Sequence, residues 1–433
     1  MVREREQWSS TLGFILASIG SAVGIGNIWR FPYVVGVNGG GAFLIPYLIS
    51  VLLFGIPLMM LEFAIGRSTG RSVIDAFRSI RQRFSAAGLL IVAVVSMILG
   101  YYLVITGWVL AYALFFLLGQ PMAFDAFTGS NLPLIFFLLA GLAVFVTVRS
   151  GVREGIERAS RYLIPVLIAI LLFLVAFSLT QPGAGEGIGF YLSPDFSRLA
   201  DLEVWIAAFG QAFFSLSVGM GILLTFGSYL REESLFRNSA IIAVADTLVA
   251  ILAGLMIFPL VFTSGLDPAS GVNLAFVTLP AAFAQFRFGM LLGALFFLML
   301  FAAAITSAVS MLEVPVAALM DSYAYPRRRA TLLVFAAIML LGLPSALSYT
   351  ALGLDTFGMP FLDLADYAFG TVGLITAALI IAIVGGWFMS RTRICAEIGG
   401  CGWRQGLYMT LIRYAVPAAL VITLAGSLFR VSG

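Results

Sequence analysis

The chain of 433 residues contains no lysine and no histidine, and only 10% of its residues are charged. Without histidine it lacks the usual general base and the most common metal ligand. Its two cysteines, Cys395 and Cys401, lie in one predicted loop without a partner cluster, which is typical of reduced thiols. Because no nucleophile motif or metal cluster remains to support catalysis, we expect neither an enzyme nor an organic cofactor.

Long apolar runs take the place of these groups. Hydrophobic residues make up 61% of the chain, and soluble proteins carry roughly 25% charged residues. Runs long enough to cross a bilayer, roughly 20 residues, predict eleven spans near residues 11–36, 42–66, 87–118, 132–148, 162–180, 204–230, 238–264, 288–320, 330–348, 364–390 and 408–429. We therefore expect residues 1–433 to form a single transmembrane domain.

Arginine predicts the orientation of these spans. All 24 basic residues are arginine, and they concentrate in alternate loops, with Arg198, Arg287 and Arg430 as exceptions. By the positive-inside rule the N-terminus is cytoplasmic, and an odd number of spans then places the C-terminus outside the plasma (inner) membrane. Since topology already explains the arginines, the net charge of +3 does not indicate nucleic-acid binding.

Two of the apolar runs are interrupted by glycine. Residues 20–33 read GSAVGIGNIWRFPY, and residues 210–221 read GQAFFSLSVGMG. Glycine costs about 1 kcal/mol relative to alanine inside a helix, and backbone groups freed in lipid must find partners within the protein. We predict that the first run unwinds at Ala22–Gly26, where loose carbonyls can hold a cation; a small-residue packing face at Gly20 and Gly24 is the alternative. Two broken spans in corresponding halves indicate the binding site of a secondary transporter.

Charged residues inside predicted spans include Arg30, Glu62, Asp246, Glu313 and Asp366. Such charges are expensive in a membrane and are functional candidates by default. For Glu62 and Glu313 we favour structural pairing, and we expect Glu62 to accept hydrogen bonds from N–H groups freed by the broken sixth span. Asp246 is different because a lone buried carboxylate must pair or be neutralised. With no lysine or histidine in the chain, a bound cation is its natural partner.

Several sequence strings resemble the neurotransmitter:sodium symporter family, the LeuT-type transporters: GSAVGIGNIWRFPY, GQAFFSLSVGMG, NGGGAFLIPY, FVTLPAAF and ITSAVSMLE. The similarity runs from Arg5 to about Pro417. It implies an all-α polytopic membrane protein with a five-plus-five inverted repeat and discontinuous spans 1 and 6. The first repeat would cover residues 8–181 and the second residues 200–391, with span 11 in residues 405–433. The implied activity is sodium-coupled symport of amino acids by alternating access.

The resemblance implies two sodium sites built from oxygen ligands, as hard cations prefer. The first site would use the Ala22 carbonyl, the Asn27 amide oxygen, Ser215, Asp246 and the substrate carboxylate. The second would use the carbonyls of Gly20, Val23 and Ala303 with the hydroxyls of Thr306 and Ser307. Taken alone, adjacent hydroxyls are weak evidence, because serine and threonine often bond the preceding helical turn.

The same resemblance implies an amino-acid pocket between the two broken spans. The substrate carboxylate would meet the half-helix that starts after Gly24 and includes Gly26, and also the Tyr102 hydroxyl, because helix N-termini attract anions. Carbonyls near Ala22 and Phe214 would face its amino group. The pocket would be lined by Ile98, Phe214, Ser215, Ser217, Met220, Ser310 and Met311. This lining favours hydrophobic or aromatic amino acids, although simple core filling explains the two methionines equally well.

Two gates are also implied by the resemblance. Outside, Arg30 and Asp366 would form a closing ion pair above Tyr102 and Phe214. Inside, Arg5 and Asp321 would pair, with Trp8, Ser228 and Tyr229 packed nearby. Exposed ion pairs contribute only about 0–1 kcal/mol, which suits a gate that opens in every cycle. Gly155 and Pro165 reproduce a family motif that lets span 5 unwind and wet the second sodium site.

The chain departs from the family pattern at several positions. Asp246 stands where relatives have asparagine, and Ala250 stands where they have a chloride ligand or a compensating acid, so we expect transport to be independent of chloride. Ser21 replaces an asparagine, which puts the contact made by that asparagine near the ion site in doubt. The twelfth span is absent, so a dimer contact that uses it is not assumed, and both a monomer and a homodimer stay open. The alternatives are a proton-coupled carrier of the same fold, with Asp246 as the proton site, and a sodium-gated receptor or channel.

Overall fold

The computed structural model describes residues 6–193, 196–231, 234–266, 274–399 and 402–429. Nine helices in these ranges are long and apolar enough to cross a membrane, and a tenth crossing is a bent pair. The predicted sixth span consists of two shorter helices, so the total of eleven stays a prediction. In chain order, we number the spans as follows: 1, Thr11–Ala22 with Gly26–Val37; 2, Gly40–Thr69; 3, Gln82–Leu117; 4, Leu132–Arg149; 5, Val152–Leu179; 6, Leu202–Ser215 with Ile222–Gly227; 7, Leu235–Thr263; 8, Gly289–Tyr323; 9, Arg327–Leu347; 10, Phe361–Phe388; 11, Gln405–Leu428.

Short elements connect these spans. The connecting helices are Val73–Ile80, Phe124–Thr128, Ala184–Leu192, Phe196–Ala200, Leu274–Ala284 and Arg391–Glu397. A two-residue antiparallel hairpin pairs Asp355–Thr356 with Met359–Pro360 before span 10.

Burial separates a central layer of spans from a peripheral one. In spans 2, 3 and 8, 72%, 67% and 72% of the apolar window is buried within the protein. In spans 4, 5, 9 and 11 the corresponding shares are 39%, 33%, 39% and 28%, although the windows of these helices are also apolar. An apolar helix with most of its surface uncovered is stable only against lipid, so the peripheral spans form the membrane-facing surface.

Span 1 breaks where the glycines predict it. The first half ends at Ala22, Val23 is extended, and a second half resumes at Gly26 with its axis bent by 51°. The Asn27 side chain accepts a hydrogen bond from the Gly24 N–H at 3.1 Å and so satisfies a backbone donor that the break leaves free. The predicted unwinding at Ala22–Gly26 is therefore confirmed.

Span 6 breaks between Ser215 and Ile222. Gly219 and Gly221 have φ angles of 89° and 71°, in the left-handed region that glycine enters without strain. The Gly219 N–H donates to Glu62 Oε1 at 2.6 Å, which confirms the predicted role of Glu62. A buried carboxylate thus satisfies a backbone donor that the lost helical turn leaves free.

Span 5 begins with a wider helical turn. Gly151, with φ of 97°, precedes the π-helical segment Val152–Glu157, and an ordinary α-helix continues from there to Leu179. Pro165 lies inside this helix without ending it. Because span 5 is helical throughout, the unwinding implied by Gly155 and Pro165 stays a prediction. Segments of π-helix are frequent at functional sites.

Candidate ion and substrate site

The two breaks bring Asn27, Ser215 and Asp246 into one buried cluster. The Asn27 amide nitrogen donates to Asp246 Oδ1 at 2.7 Å and to Ser215 Oγ at 2.9 Å, and the Ser215 hydroxyl donates to Asp246 Oδ2 at 2.6 Å. Asp246 forms no ion pair with any residue that the structure describes.

This cluster can hold a cation after one change. A buried carboxylate with hydrogen-bond donors but no cationic partner is a poor resting arrangement for a charge in lipid, and an alkali ion would supply the missing charge. In the structure, however, the Asn27 amide nitrogen faces Asp246 and its oxygen faces the Gly24 N–H. The predicted ligand is the amide oxygen, so the Asn27 side chain would have to turn over when an ion binds.

Three polar neighbours of this cluster were not predicted. Tyr47 is fully buried, and Asp246, Ser215 and Thr247 are its polar neighbours. Tyr47 Oη, Thr247 Oγ1 and Gln211 Oε1 are all buried without a hydrogen-bond partner in the described part of the chain. A tyrosine and a glutamine inside apolar runs were the available sequence signals, but neither carries a charge that would have drawn attention.

A second set of oxygens lies where span 8 crosses the break in span 1. The Ser307 hydroxyl lies 3.3 Å from the Gly20 carbonyl, 3.1 Å from the Ser21 carbonyl and 3.4 Å from the Val23 carbonyl. The neighbouring Thr306 hydroxyl donates to the carbonyls of Ala302 and Ala303 at 3.0 and 3.1 Å. The five predicted ligands of the second sodium site therefore lie together, and all of them are oxygens, which suits a hard cation.

The Ser21 carbonyl links the two breaks directly. It accepts from the Ser217 hydroxyl at 2.8 Å and also from Ser307. Ser217 has a φ angle of 53°, which is uncommon for a residue other than glycine and is held here by this bond. The Ser21 hydroxyl itself is buried without a hydrogen-bond partner among the described residues.

The predicted substrate pocket lies between the breaks and span 3. The Tyr102 hydroxyl is 3.3 Å from the Ile25 N–H. A side chain on Gly24 would come within 2.8 Å of Ser307 Oγ and 3.1 Å of Tyr102 Oη, and one on Gly26 would overlap the ring of Phe214. The two glycines therefore let Ser307, Tyr102 and Phe214 pack directly against bare backbone at the break.

The remaining residues of the predicted pocket are all buried: Ile98, Ser217, Met220, Ser310 and Met311. The Ser310 hydroxyl donates to the Thr306 carbonyl at 2.9 Å, so both serine hydroxyls are already bonded to backbone. Residues that contact substrate and residues that only fill the core are both buried, so burial does not distinguish them. The contact of Ile98, Met220 and Met311 with substrate therefore stays a prediction.

Comparison with known proteins agrees with this geometry. A family model described as the sodium:neurotransmitter symporter family matches residues 5–128 and 122–432. A sodium-dependent transporter of Bacillus subtilis, YhdH, is 37% identical over 434 residues, which cover 96% of each chain. The chain belongs to the sodium:neurotransmitter symporter family.

Other relatives and a solved structure agree with this assignment. An uncharacterised sodium-dependent transporter of Methanocaldococcus jannaschii is 39% identical over 90% of this chain and 83% of its own length. The sodium- and chloride-dependent taurine transporter of Rattus norvegicus is 30% identical over 97% of this chain and 77% of its own. The crystal structure of MhsT in complex with L-phenylalanine superposes with a TM-score of 0.90 at 42% identity, covering 98% of this chain and 100% of that one.

The protein is therefore a multi-pass, sodium-dependent symporter with the LeuT-type fold. The proteins that it resembles are transporters and not enzymes, in agreement with the absence of catalytic groups from the sequence.

The two residues of the predicted outer gate have other neighbours in this structure. The Arg30 guanidinium lies over the Phe214 ring, 4.4 Å from its centroid. No ion pair between Arg30 and Asp366 is present among the described residues; Asp366 instead lies beside Tyr101. The closing pair is thus not formed in this structure, where the arginine makes a cation–π contact with Phe214, and the gate stays a prediction. A cavity of about 310 Å³ lies above the lid and reaches Arg30 and Gln211.

At the inner end the predicted aromatic packing is present. The Trp8 indole N–H donates to the Phe226 carbonyl at 3.1 Å, and its ring packs against Phe226 and Tyr229 with centroids 5.0 and 6.2 Å apart. Ser228, on the same half of span 6, donates to the Thr225 carbonyl. Arg5 lies outside the described residues.

Asp321, the predicted partner of Arg5, accepts a hydrogen bond from the Ser72 N–H at 2.7 Å. The inner ion pair therefore stays a prediction, because one of its two residues is not described.

A stronger inner network was missed. Glu313 accepts two hydrogen bonds from Arg327, each at 2.8 Å, and one from the Tyr229 hydroxyl at 2.6 Å. Arg327 also donates to Glu6 at 2.6 Å. The structural pairing predicted for Glu313 is thus present. The sequence does not reveal that Arg327 is the partner, because the arginines at 327–329 are already explained by topology.

Proposed function

We propose that this symporter carries hydrophobic or aromatic amino acids together with two sodium ions. The observation that supports the proposal most strongly is the buried Asn27, Ser215 and Asp246 cluster at the meeting point of the two breaks. Asp246 has no cationic partner there, and a sodium ion would provide one. The substrate carboxylate would complete the shell of that ion, so ion and substrate would stabilise each other by direct electrostatic contact.

The substrate class follows from the surroundings of the half-helix after Gly24. Its N-terminal end and the Tyr102 hydroxyl, which accepts a hydrogen bond from the Ile25 N–H, suit a carboxylate. Around them the side chains are apolar or already hydrogen-bonded, which disfavours charged substrate side chains. The likeness to MhsT, whose structure contains L-phenylalanine, supports the same class.

We further propose that transport is independent of chloride. Asp246 brings a fixed negative charge to the first sodium site, and position 250, one turn further along span 7, is an alanine. A fixed carboxylate makes a mobile anion unnecessary for charge balance at that site.

The remaining assignments complete the proposal. We infer a five-plus-five inverted repeat over residues 8–181 and 200–391, a cytoplasmic N-terminus and an external C-terminus. Assembly as a monomer or a homodimer stays open. In the transport cycle, two sodium ions hold the outward-open form, substrate bridges the two broken spans, the gates close, and release follows on the inner side.

The test is uptake by proteoliposomes that contain the purified protein. Each of the twenty amino acids is offered with an inward sodium gradient, with an inward potassium gradient, and with an inward proton gradient without sodium. We expect uptake of large apolar and aromatic amino acids with sodium alone. Uptake that ignores sodium and follows the proton gradient would replace this proposal with a proton-coupled carrier that uses Asp246.

A further inference from the structure

Spans 10 and 11 meet through two π-helical segments that the proposed transport sites do not use. Span 10 ends in the segment Val384–Phe388, and span 11 contains the segment Leu411–Ala415. The Arg413 guanidinium donates to the Gly386 carbonyl at 2.7 Å, and the Trp387 indole N–H donates to the Arg413 carbonyl at 3.1 Å. The two segments thus hold each other, and segments of π-helix are frequent at functional sites.

Large aromatic rings are exposed at this junction. The Arg413 guanidinium lies 5.7 Å from the centroid of the Trp387 ring, and the Tyr414 ring packs against Trp387 with centroids 5.3 Å apart. The exposed fractions of Trp387, Phe388 and Tyr414 are 49%, 37% and 59%. Exposed tryptophan and tyrosine near the end of a span are typical of the membrane–water interface.

The connecting segment between spans 2 and 3 extends this surface. The Arg81 guanidinium lies over the Phe388 ring, 4.8 Å from its centroid, and the Arg83 guanidinium lies 5.3 Å from the centroid of the Phe84 ring. The Phe84 and Phe388 rings are in contact, with centroids 5.0 Å apart. Three elements that are distant in the sequence therefore form one continuous surface. We call the following residues the inner patch: Arg81, Arg83, Trp387, Phe388, Arg413 and Tyr414.

The positive charge of the inner patch is not neutralised by the part of the chain that the structure describes. Arg81, Arg83 and Arg413 form no ion pair there. The acids closest to the patch in sequence, Asp75 and Glu397, are paired with other arginines. A ring beneath a guanidinium leaves the N–H donors at its edge available. The patch therefore offers hydrogen-bond donors and three uncompensated charges to an anion.

The depth of Arg413 indicates which anion can reach these donors. Span 11 begins at Gln405, so Arg413 lies about 12 Å along the helix axis from that end, beside the last residues of span 10. A guanidinium at this level is accessible from the headgroup region of a bilayer, towards which long basic side chains extend. Guanidinium groups bind phosphate with two parallel hydrogen bonds. Basic pockets between spans at the inner surface accordingly suit lipid headgroups.

We propose that the inner patch binds the phosphate of an anionic phospholipid, whose glycerol and upper acyl chains contact the exposed rings. The patch faces the inner leaflet in the orientation proposed above. The inference goes beyond symport and does not depend on it, because lipid binding is measured without substrate or sodium. The competing explanation is that these arginines only orient the spans and attract anionic lipids no more than other arginines at the same end of the bundle.

The test measures quenching of Trp387 fluorescence by brominated lipids in vesicles that contain the full-length protein. The vesicles consist of phosphatidylcholine with an increasing share of brominated phosphatidylglycerol or, in the second series, of brominated phosphatidylcholine. Subtraction of the signal from Trp387→Phe, which keeps an aromatic ring, isolates the contribution of Trp387. Because each arginine near an anionic headgroup contributes a factor of about five, we expect phosphatidylglycerol to quench at a roughly 100-fold lower share.

Two sets of variants locate the binding site. The double variant Arg81→Gln with Arg83→Gln removes two exposed charges and should reduce the preference for phosphatidylglycerol roughly 25-fold, and Arg413→Gln should reduce it about fivefold. The matched control is Arg158→Gln with Arg328→Gln. It removes two exposed arginines from other loops at the same end of the bundle and should leave the preference unchanged.

Three outcomes would overturn the inference. Equal quenching of Trp387 by the two lipids would show that the patch does not select an anionic headgroup. An equal loss of preference in the control variant would assign the effect to the overall charge of that end of the bundle. Loss of the preference when inorganic phosphate is added at constant ionic strength would identify a site for free phosphate, whereas we expect phosphate to have no effect.

Discussion

Replacing Asp246 with asparagine tests the first sodium site most specifically. Asparagine has nearly the same shape, so it keeps contacts with Asn27 and Ser215 while removing the only charge in the cluster. The change therefore separates the role of the charge from the role of packing. Asp246→Ala also removes the oxygen ligands, and we expect it to abolish sodium-dependent binding.

Coulomb's law gives the expected loss of sodium affinity in Asp246→Asn. A monovalent ion about 4 Å from a carboxylate gains about 4 kcal/mol at an effective dielectric constant of about 20. Part of this gain is offset by desolvation of the ion, which leaves about 2–4 kcal/mol. Sodium affinity in Asp246→Asn should therefore fall roughly 30- to 1,000-fold, because each 1.4 kcal/mol is a factor of about ten.

The assay is equilibrium binding of radiolabelled L-phenylalanine to purified protein as sodium is titrated against potassium at constant ionic strength. Asp355→Asn, the same substitution in the exposed hairpin before span 10, serves as the control and should leave the titration unchanged. If Asp246→Asn and the unaltered protein bind with the same sodium dependence, Asp246 is not an ion ligand and the reasoning fails.

Four further predictions follow from the same contacts. Tyr102→Phe should weaken L-phenylalanine binding about tenfold in the equilibrium assay, because one hydrogen bond to the carboxylate is lost; unchanged affinity would place the carboxylate elsewhere. Glu313→Gln removes the charged partner of the buried Arg327 guanidinium, so the free energy of unfolding should fall by about 3 kcal/mol. Thermal denaturation measures this loss, and an unaltered melting temperature would contradict it. Gly219→Ala should also destabilise the protein, by about 1–3 kcal/mol, because φ is 89° and the new side chain meets Ala378; normal stability would show that the break can adapt. Replacing chloride with gluconate should leave uptake unchanged, and a steep loss would refute the charge-balance role of Asp246.

The two breaks could be predicted because their cause is local. Glycine weakens a helix wherever it stands, and Gly24, Gly219 and Gly221 stand inside runs that must cross a bilayer. The bond from Gly219 to Glu62 could also be anticipated, since a buried acid and a freed N–H group need each other. In these cases the residue type alone carries the physical argument.

The missed contacts depend on which residues the fold places side by side. Arg327 lies in a cluster of three arginines that topology already explains, and nothing in that cluster shows that one of them turns inward to Glu313. The Arg30 contact with Phe214 competes with the predicted Asp366 pair, and the sequence cannot rank two partners within reach of one side chain.

An arginine inside span 11 was also overlooked. Arg413 donates to the Gly386 carbonyl at 2.7 Å, and the Trp387 indole N–H donates back to the Arg413 carbonyl at 3.1 Å. The guanidinium thus satisfies a carbonyl near the end of span 10, where a cation is favoured by the helix dipole. The pairing joins two helices that no local pattern relates.

The most direct measurement of the central claim is ligand binding in sodium chloride against potassium chloride. Purified protein is mixed with radiolabelled L-phenylalanine in a scintillation-proximity assay, and only the cation is exchanged. The account predicts saturable binding in sodium and loss of binding in potassium, because the ion and the substrate carboxylate share one site beside Asp246. Equal affinity in the two salts would contradict it.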